Sequence, residues 1–550
     1  MPTVSAHVAA ALARHIDHVF GVMGNGNAYF LDALERSTDV GFTAVRHEAG
    51  GVVAADAYHR AGGGLAAATA TYGAGFTNTL TALAEAVQAH VPLVLVVGDE
   101  PTSGRRPWGV DQIALASAVG ARTYTVGRAD AAATTVIAIE HALTYRVPTV
   151  LAIPYDVAAL DAGPVPEAPE PRLPAPVAPR GPFTAQSIRD AAAALAGAKR
   201  PFLLAGRGAW IAGAGAALGD LADATGALTA STALGRGIFP RDEFDLGVTG
   251  GFGAEEAMEL VEQADVAVVF GASLNQFTMR FGALFAPGAR VIQVDLAPAA
   301  THPHVGGYIR GDAALVARAI AEELASMGPA PSGWRERVDT ASARAYEPGD
   351  AFAADGRLDP RSAAARIAEL LPEDRVVVSD GGHFIGWANM YWPVASPDRM
   401  MMVGTAFQSI GLGFASVPGA VLAKPDSTIV LTSGDGGGLM ALADLESAVR
   451  VAGGRGLAVV WNDAAYGAEV NLYGLKGLAE APMLIPQVDF AGVARGFGAE
   501  GVVVRTLADL DRLAEWAGTP AAERPFLLLD LRISGSVIAP YQEEIIRVNS

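Results

Sequence analysis

The segment STIVLTSGDGGGLMALADLESAVRVAGGRGLAVVWNDAAYGAEV, residues 427–470, decides the fold. An apolar stretch leads through a Gly-Asp-Gly turn into an amphipathic pattern, followed by a second apolar stretch and a polar turn. Residues 428–432 and 457–461 have the length and character of buried parallel strands, and 439–451 carries apolar residues at helical spacing. The sequence therefore predicts a βαβ unit. In such sheets ligands sit beyond the carboxyl ends of the strands, where both polar turns fall. Gly434, Gly436, Gly437 and Gly438 let the backbone come close to a phosphate at the start of the helix, where free N–H groups favour an anion. Asp435 puts a carboxylate in the same place. A divalent cation between carboxylate and phosphate resolves that conflict, and magnesium fits because it prefers hard oxygen ligands.

The same alternation extends along the chain. Residues 7–157 alternate helix-like and strand-like segments, with strands at 18–22, 41–45, 92–97 and 149–153, as in an α/β block with a parallel sheet. Residues 162–182, AGPVPEAPEPRLPAPVAPRGP, are proline-rich and read as a semi-rigid tether. A second block follows with strands at 201–205, 266–270 and 291–294, and the polar, proline-bearing residues 327–357 read as a second linker. A third block has strands at 375–379, 428–432, 457–461 and 525–529, and a short tail after Ile533 able to fold over the site. The expected fold class is α/β, three doubly wound parallel-sheet domains at 1–161, 183–326 and 358–550, joined by linkers 162–182 and 327–357. Three blocks of one class suggest distant internal repetition without a literal repeat.

Bulk properties narrow the function. Across 550 residues, 58 acidic against 39 basic side chains give a formal charge of −19, which argues against electrostatic binding to nucleic acid. The absence of cysteine removes disulfides, thiolate catalysis and zinc–thiolate sites together. The opening MPTVSAHVAAALARHIDHVFGV lacks a charged n-region and reads as a mature amphipathic helix. Apolar runs such as 91–97 are strand-length, well short of the roughly 20 residues of a membrane span. A soluble, cytoplasmic protein without a membrane partner is expected.

The Gly-Asp-Gly turn is followed, 28 positions after Asp435, by Asp463 in an Asn-Asp turn, and this resembles the diphosphate motif of thiamine diphosphate enzymes. The resemblance is to the acetolactate synthase, pyruvate decarboxylase and benzaldehyde lyase group, and it runs nearly the whole chain. It rests on GVMGNGN at 21–27, VRHEAGGVVAADAYHRAGG at 45–63, ATYGAGFTNTLTALAEAVQAHVPLVLVVGD at 70–99 and IPYDV at 153–157. It continues through RPFLLAGRGA at 200–209, VSDGGHFIGWA at 378–388 and QSIGLGFASVPGAVLAKPD at 408–426. The resemblance implies an aminopyrimidine-binding first domain, a middle domain, and a third domain that binds diphosphate and Mg2+. By the same match the metal ligands are Asp435, Asp463 and the carbonyl of Ala465, with Tyr466 and Gly467 beside the cofactor. Asp463 departs from the family's commoner Asn, so Asn462 stays a rival ligand.

Glu48 matches the glutamate that hydrogen-bonds N1′ of the aminopyrimidine and favours the tautomer whose 4′-nitrogen takes the proton from thiazolium C2. In this reading Ile410 supports the bent cofactor, the Gln408 carbonyl faces its 4′-amino group, and Gly382 and His383 fall beside the diphosphate. Asn25 stands where relatives vary and helps determine substrate handling, and Gln112 resembles the pocket glutamine of benzaldehyde lyase. Thr71 and Tyr72 stand where some decarboxylases carry a catalytic histidine. Glu469 matches a catalytic glutamate of pyruvate decarboxylase, and either transfers a proton or faces solvent. In GASLNQFTMRFG, at 271–282, Arg280 is displaced from the pattern of flavin-retaining relatives, so FAD is not expected.

The resemblance implies a carboligase or lyase acting on a 2-oxo acid such as pyruvate, which transfers the decarboxylated carbanion to a carbonyl acceptor. The alternatives are a simple 2-oxo acid decarboxylase and a catalytically silent cofactor-binding paralogue. A homodimer or homotetramer with active sites between subunits is the implied assembly.

Overall fold

Three runs of alternating helix and strand each close into a six-stranded sheet in the computed structural model, which describes residues 2–549. The first sheet comprises β1 (His18–Gly21), β2 (Gly41–Ala44), β3 (Ala67–Ala70), β4 (Leu93–Asp99), β5 (Arg122–Thr125) and β6 (Pro148–Pro154), ordered β2-β1-β3-β4-β6-β5. The middle sheet comprises β7 (Pro201–Ala205), β8 (Leu228–Ser231), β9 (Asp245–Val248), β10 (Val266–Phe270), β11 (Arg290–Asp295) and β12 (Val305–Arg310), ordered β12-β11-β10-β7-β8-β9. That is the doubly wound order of dinucleotide folds. The third comprises β13 (Val376–Ser379), β14 (Met400–Met402), β15 (Ile429–Gly434), β16 (Gly456–Trp461), β17 (Glu500–Val504) and β18 (Leu527–Leu531), ordered β14-β13-β15-β16-β18-β17. First and third sheets thus share one strand order, and the distant repetition lies in topology.

Both deciding strands are buried along their whole length, as near-continuous apolar runs between helical layers must be. They pair in parallel from Ile429↔Gly456 to Gly434↔Trp461, so they finish level and set the two polar turns side by side. The helix expected over 439–451 forms as two pieces, Asp435–Met440 and Leu442–Ala452, bent at Ala441 (φ −112°, ψ 21°). The second piece lays Leu445, Ala448 and Ala452 on the core, while the glycine-rich first piece follows the turn.

The proline-rich tether lies along the first domain, with Ala168 buried beside Ala11, Ala132 and Val136. Residues 327–357, polar in sequence, fold onto the middle domain. Trp334 and Ala343 enter its core, and the Tyr346 hydroxyl donates to the Phe252 carbonyl at 2.6 Å. One tryptophan in a polar stretch leaves no periodicity to read.

First and third domains meet through the helices Glu48–Arg60 and Gly413–Ala423. At the end of the first helix Arg60, paired with Asp56, also bonds Glu85 at 3.1 Å and the Met402 carbonyl at 2.8 Å. Glu85 in turn accepts from the Phe407 N–H at 2.8 Å. A buried charge cluster of the first domain therefore holds the 402–407 segment of the third. Among the described residues no helix is long and apolar enough to cross a membrane.

Candidate active site

The third-domain half is built on the level ends of β15 and β16. Asp435 and Asp463 are buried, 2% and 8% exposed. The Gly436 and Ala464 N–H groups donate to Asp435 at 2.8 and 2.9 Å. Burial, then the neighbouring charge of Asp463, nevertheless pushes Asp435 up to about 7. His383 Nε2 lies 2.8 Å from Asp463 Oδ2. Burial works against a charged imidazole there, but Asp463, with help from Asp435 and Glu469, outweighs it and raises His383. The Tyr541 hydroxyl, on the tail helix Pro540–Asn549, donates to the His383 carbonyl, so the tail packs behind this histidine.

These residues fit a divalent cation. Two buried carboxylates side by side call for positive charge, and the Ala465 carbonyl accepts no hydrogen bond among the described residues. No group of three or more His, Cys, Asp and Glu side chains among the described residues could hold a metal, so an ion here takes further ligands from backbone, phosphate or water, as magnesium commonly does. Asn462 is tied by Nδ2 to Asp530 at 2.8 Å, yet its buried Oδ1 has no hydrogen-bond partner among the described residues. Asp463 already engages His383 and the Ala465 N–H. Both rivals for the second side-chain ligand thus stand at this turn. Ala464 adopts φ +65°, a conformation an L residue holds only where its surroundings fix it.

Close approach demands glycine at several positions here, Gly436 and Gly467 among them. A Cβ on Gly436 would meet the Tyr466 ring at 2.6 Å, and one on Gly467 would meet His383 Nε2 at 2.5 Å. Gly382 immediately precedes His383, and Gly434 and Gly437 flank the acid turn. Glu469 is exposed but close enough to His383 to support its charge.

The turn carrying Gln408 and Ile410 is fixed by a residue that the sequence motifs passed over. Asp380, fully buried at the end of β13, accepts from the N–H groups of Gly381 (2.8 Å), Gly411 (3.0 Å) and Leu412 (3.1 Å), and from the Ser433 hydroxyl at 3.1 Å. It joins the QSIG turn to the strand leading into the Gly-Asp-Gly turn. Burial raises its carboxyl to about 6. Gln408 stands at φ +58°, its amide donating to the Thr405 carbonyl at 2.8 Å, and Ile410 is half-buried. The only hint in sequence was Asp380 within VSDGGHF; its four partners lie up to 53 positions away.

In the first domain Glu48 is the first residue of its helix, capped by His47. Asn78 Nδ2 donates to Glu48 Oε2 at 2.9 Å, an orienting contact the motifs did not flag. Asn25 Nδ2 donates to the Tyr72 hydroxyl at 2.8 Å, and Arg106 donates to the same oxygen. Gln112 is buried with its amide committed, accepting from the Gly73 N–H at 2.7 Å and donating to the Gly98 carbonyl at 3.0 Å. It shapes the turn after Thr71 and Tyr72, and its side chain is not free to meet a substrate. In the middle domain Arg280 is paired with Glu255 at 2.7 Å.

The structure brings Glu48, Asn25 and Gln112 together in one domain, and Gly382, His383, Gln408, Ile410, Gly434 to Gly437, Asp435 and Asp463 to Gly467 in another. Among the described residues no hydrogen bond or ion pair joins Glu48 to the Asp435 group of its own chain.

Comparison with known proteins agrees with this division. The N-terminal TPP binding domain of thiamine pyrophosphate enzymes matches residues 2–119, the central domain 188–320 and the C-terminal TPP binding domain 380–529. Sulfoacetaldehyde acetyltransferase of Roseovarius nubinhibens is 27% identical, covering 100% of this chain and 94% of its own length. The acetolactate synthase large subunit of Parasynechococcus marenigrum is 29% identical over 91% of this chain and 83% of its own. Acetolactate synthase isozyme 1 large subunit of Escherichia coli is 27% identical, with 89% and 87% covered.

Proposed function

We infer the reaction from one premise: the chain belongs to the thiamine pyrophosphate enzyme family, with relatives named acetolactate synthase, and is a thiamine diphosphate-dependent enzyme. We propose that it is a carboligase or lyase that takes a 2-oxo acid such as pyruvate as donor and a second carbonyl compound as acceptor. The observation that carries this reading is the buried Asp435–Asp463 pair at the level ends of two parallel strands, beside the uncommitted Ala465 carbonyl.

Asp435, the Ala465 carbonyl and either Asp463 or Asn462 would hold Mg2+. Gly382, His383, Gly434, Gly436, Gly437, Tyr466 and Gly467 would line the diphosphate, with Ile410 as an apolar wall and the Gln408 carbonyl as an acceptor. Bound thiamine diphosphate supplies the nucleophilic carbon and the electron sink. Glu48 would pass a proton through its carboxyl oxygen, and Asn78 fixes the direction in which that carboxyl faces. Because no hydrogen bond or ion pair among the described residues joins Glu48 to the Asp435 group of its own chain, a second copy would complete each site, with a homodimer as the smallest active unit. The proposed chemistry is redox-neutral and asks nothing of a flavin.

The test is Glu48→Gln in protein loaded with thiamine diphosphate and Mg2+. General acid–base roles contribute about 10²- to 10⁴-fold, so turnover of pyruvate should fall by at least about 100-fold with cofactor binding retained. Unchanged turnover removes Glu48 as the acid–base group. Product analysis with and without an aldehyde separates ligation from simple decarboxylation. Turnover of sulfoacetaldehyde in place of pyruvate would move the donor to the class named in the other set of relatives.

A further inference from the structure

In a chain of net charge −19, one cation of the Glu48 domain makes no ion pair among the described residues. Arg105 and Arg106 are neighbours on the loop after β4. Arg105 pairs with Glu100 at 3.7 Å and Asp111 at 3.6 Å, the acids of that loop. Of the other acids nearby, Asp156 is taken up by Thr102, and Asp99 by the Glu100 N–H and Gln112. Arg106 makes no ion pair among the described residues. Its guanidinium is half-buried between two rings, 4.3 Å from the centre of Tyr155 and 4.9 Å from that of Tyr72. Aromatic faces steady a cation without neutralising it, so Arg106 retains a full charge and spare N–H groups.

The Tyr72 hydroxyl makes the same point. Its oxygen accepts from Asn25 Nδ2 and from Arg106, and its own proton has no acceptor among the described residues. A hydroxyl and a guanidinium with spare N–H groups therefore stand one hydrogen bond apart, a donor set suited to an oxyanion. The pair belongs to the reaction site. Tyr72 follows Thr71, and Thr71 and Glu48 pack together against one face of Gly75, where an added Cβ would meet them at 2.6 and 3.3 Å.

We propose that Arg106 and Tyr72 bind the carboxylate or sulfonate of the acceptor, so that the second substrate is an anionic carbonyl compound. This rests on the donor–acceptor reading above. The donor's own carboxylate is the wrong occupant: it leaves as CO2, and a guanidinium gripping it would stabilise the charge that the reaction must disperse. The group held here is one that survives the reaction.

The test uses loaded enzyme with pyruvate as donor, and glyoxylate or acetaldehyde as anionic or neutral acceptor. Losing a charge-assisted bond from Arg106→Met or Tyr72→Phe should raise the KM for glyoxylate about tenfold to hundredfold, and that for acetaldehyde by less than about threefold. Arg106→Lys should recover part of the loss. Calorimetric titration with glycolate and with isethionate, which lack the carbonyl, reports binding without turnover and separates carboxylate from sulfonate. One of them should bind the wild type and not Arg106→Met. Equal losses for both acceptors, or no difference in anion binding between wild type and Arg106→Met, would overturn the assignment. If the wild type turns over no donor at all, the functional reading fails, and the titrations alone decide the anion site.

Discussion

Replacing Asp380 separates a fold-holding carboxylate from an incidental one. In Asp380→Ala the N–H groups of Gly381, Gly411 and Leu412 lose their acceptor together, while the Ser433 hydroxyl keeps the Gly434 carbonyl at 3.2 Å. An unsatisfied buried donor costs about 1–3 kcal/mol, so three cost roughly 3–9 kcal/mol, much of the about 5–15 kcal/mol that stabilises a domain. Asp380→Asn behaves differently. Its amide oxygen at the Oδ1 position still serves the three N–H groups, the Gly411 N–H losing only its second contact, 3.1 Å to Oδ2, and its NH2 meets Ser433, whose hydroxyl then donates to Gly434. The expected cost is about 1 kcal/mol, partly offset because no buried charge remains where burial raises the acid to about 6. Denaturant unfolding of both variants, with thiamine diphosphate affinity measured by calorimetry, tests this. The alanine variant should unfold at far lower denaturant and bind cofactor weakly, because the turn bearing Gln408 and Ile410 is released; the asparagine variant should resemble wild type. Equal behaviour of the two variants would refute the hydrogen-bond accounting.

Glu85→Ala removes one of the two acids around buried Arg60 and the acceptor for the Phe407 N–H, a change of about 3–5 kcal/mol for a broken buried pair. Cofactor affinity should fall with it, and Glu85→Gln, which keeps an acceptor for Phe407, should restore a measurable part; equal affinities for the two variants would detach this cluster from the site. Burial raises Asp245, in the middle domain, to about 7, so the folded state binds a proton there that the unfolded chain gives up near pH 4. Its contribution is complete below that pH and is lost as pH rises through about 7. Asp245→Asn should therefore gain on wild type in unfolding free energy between pH 4 and 7, and parallel pH curves would contradict it.

The α/β class and the Gly-Asp-Gly turn were legible because a buried parallel strand and a phosphate turn are written in consecutive residues. Short strands such as the alanine-rich β3 or the three-residue β14 were not, because their strand character comes from neighbours in the sheet. Residues 327–357 read as a linker for the same reason: Trp334 has a core to enter only after the middle domain has formed.

The sequence by itself determined that three parallel α/β units exist, that the last carries an acid turn suited to a metal diphosphate, and that Glu48 follows a strand of the first. Tertiary structure alone decided that Asp380 is the knot of the QSIG turn, that Gln112 spends its amide on backbone, that Glu85 reaches Phe407 across 322 positions, and that Arg105 pairs with acids while Arg106 makes no ion pair among the described residues. The physical reason is range. Periodicity and turn chemistry act over a few residues, whereas the partner of a buried charge or an unpaired N–H is whatever the folded chain brings within about 3 Å.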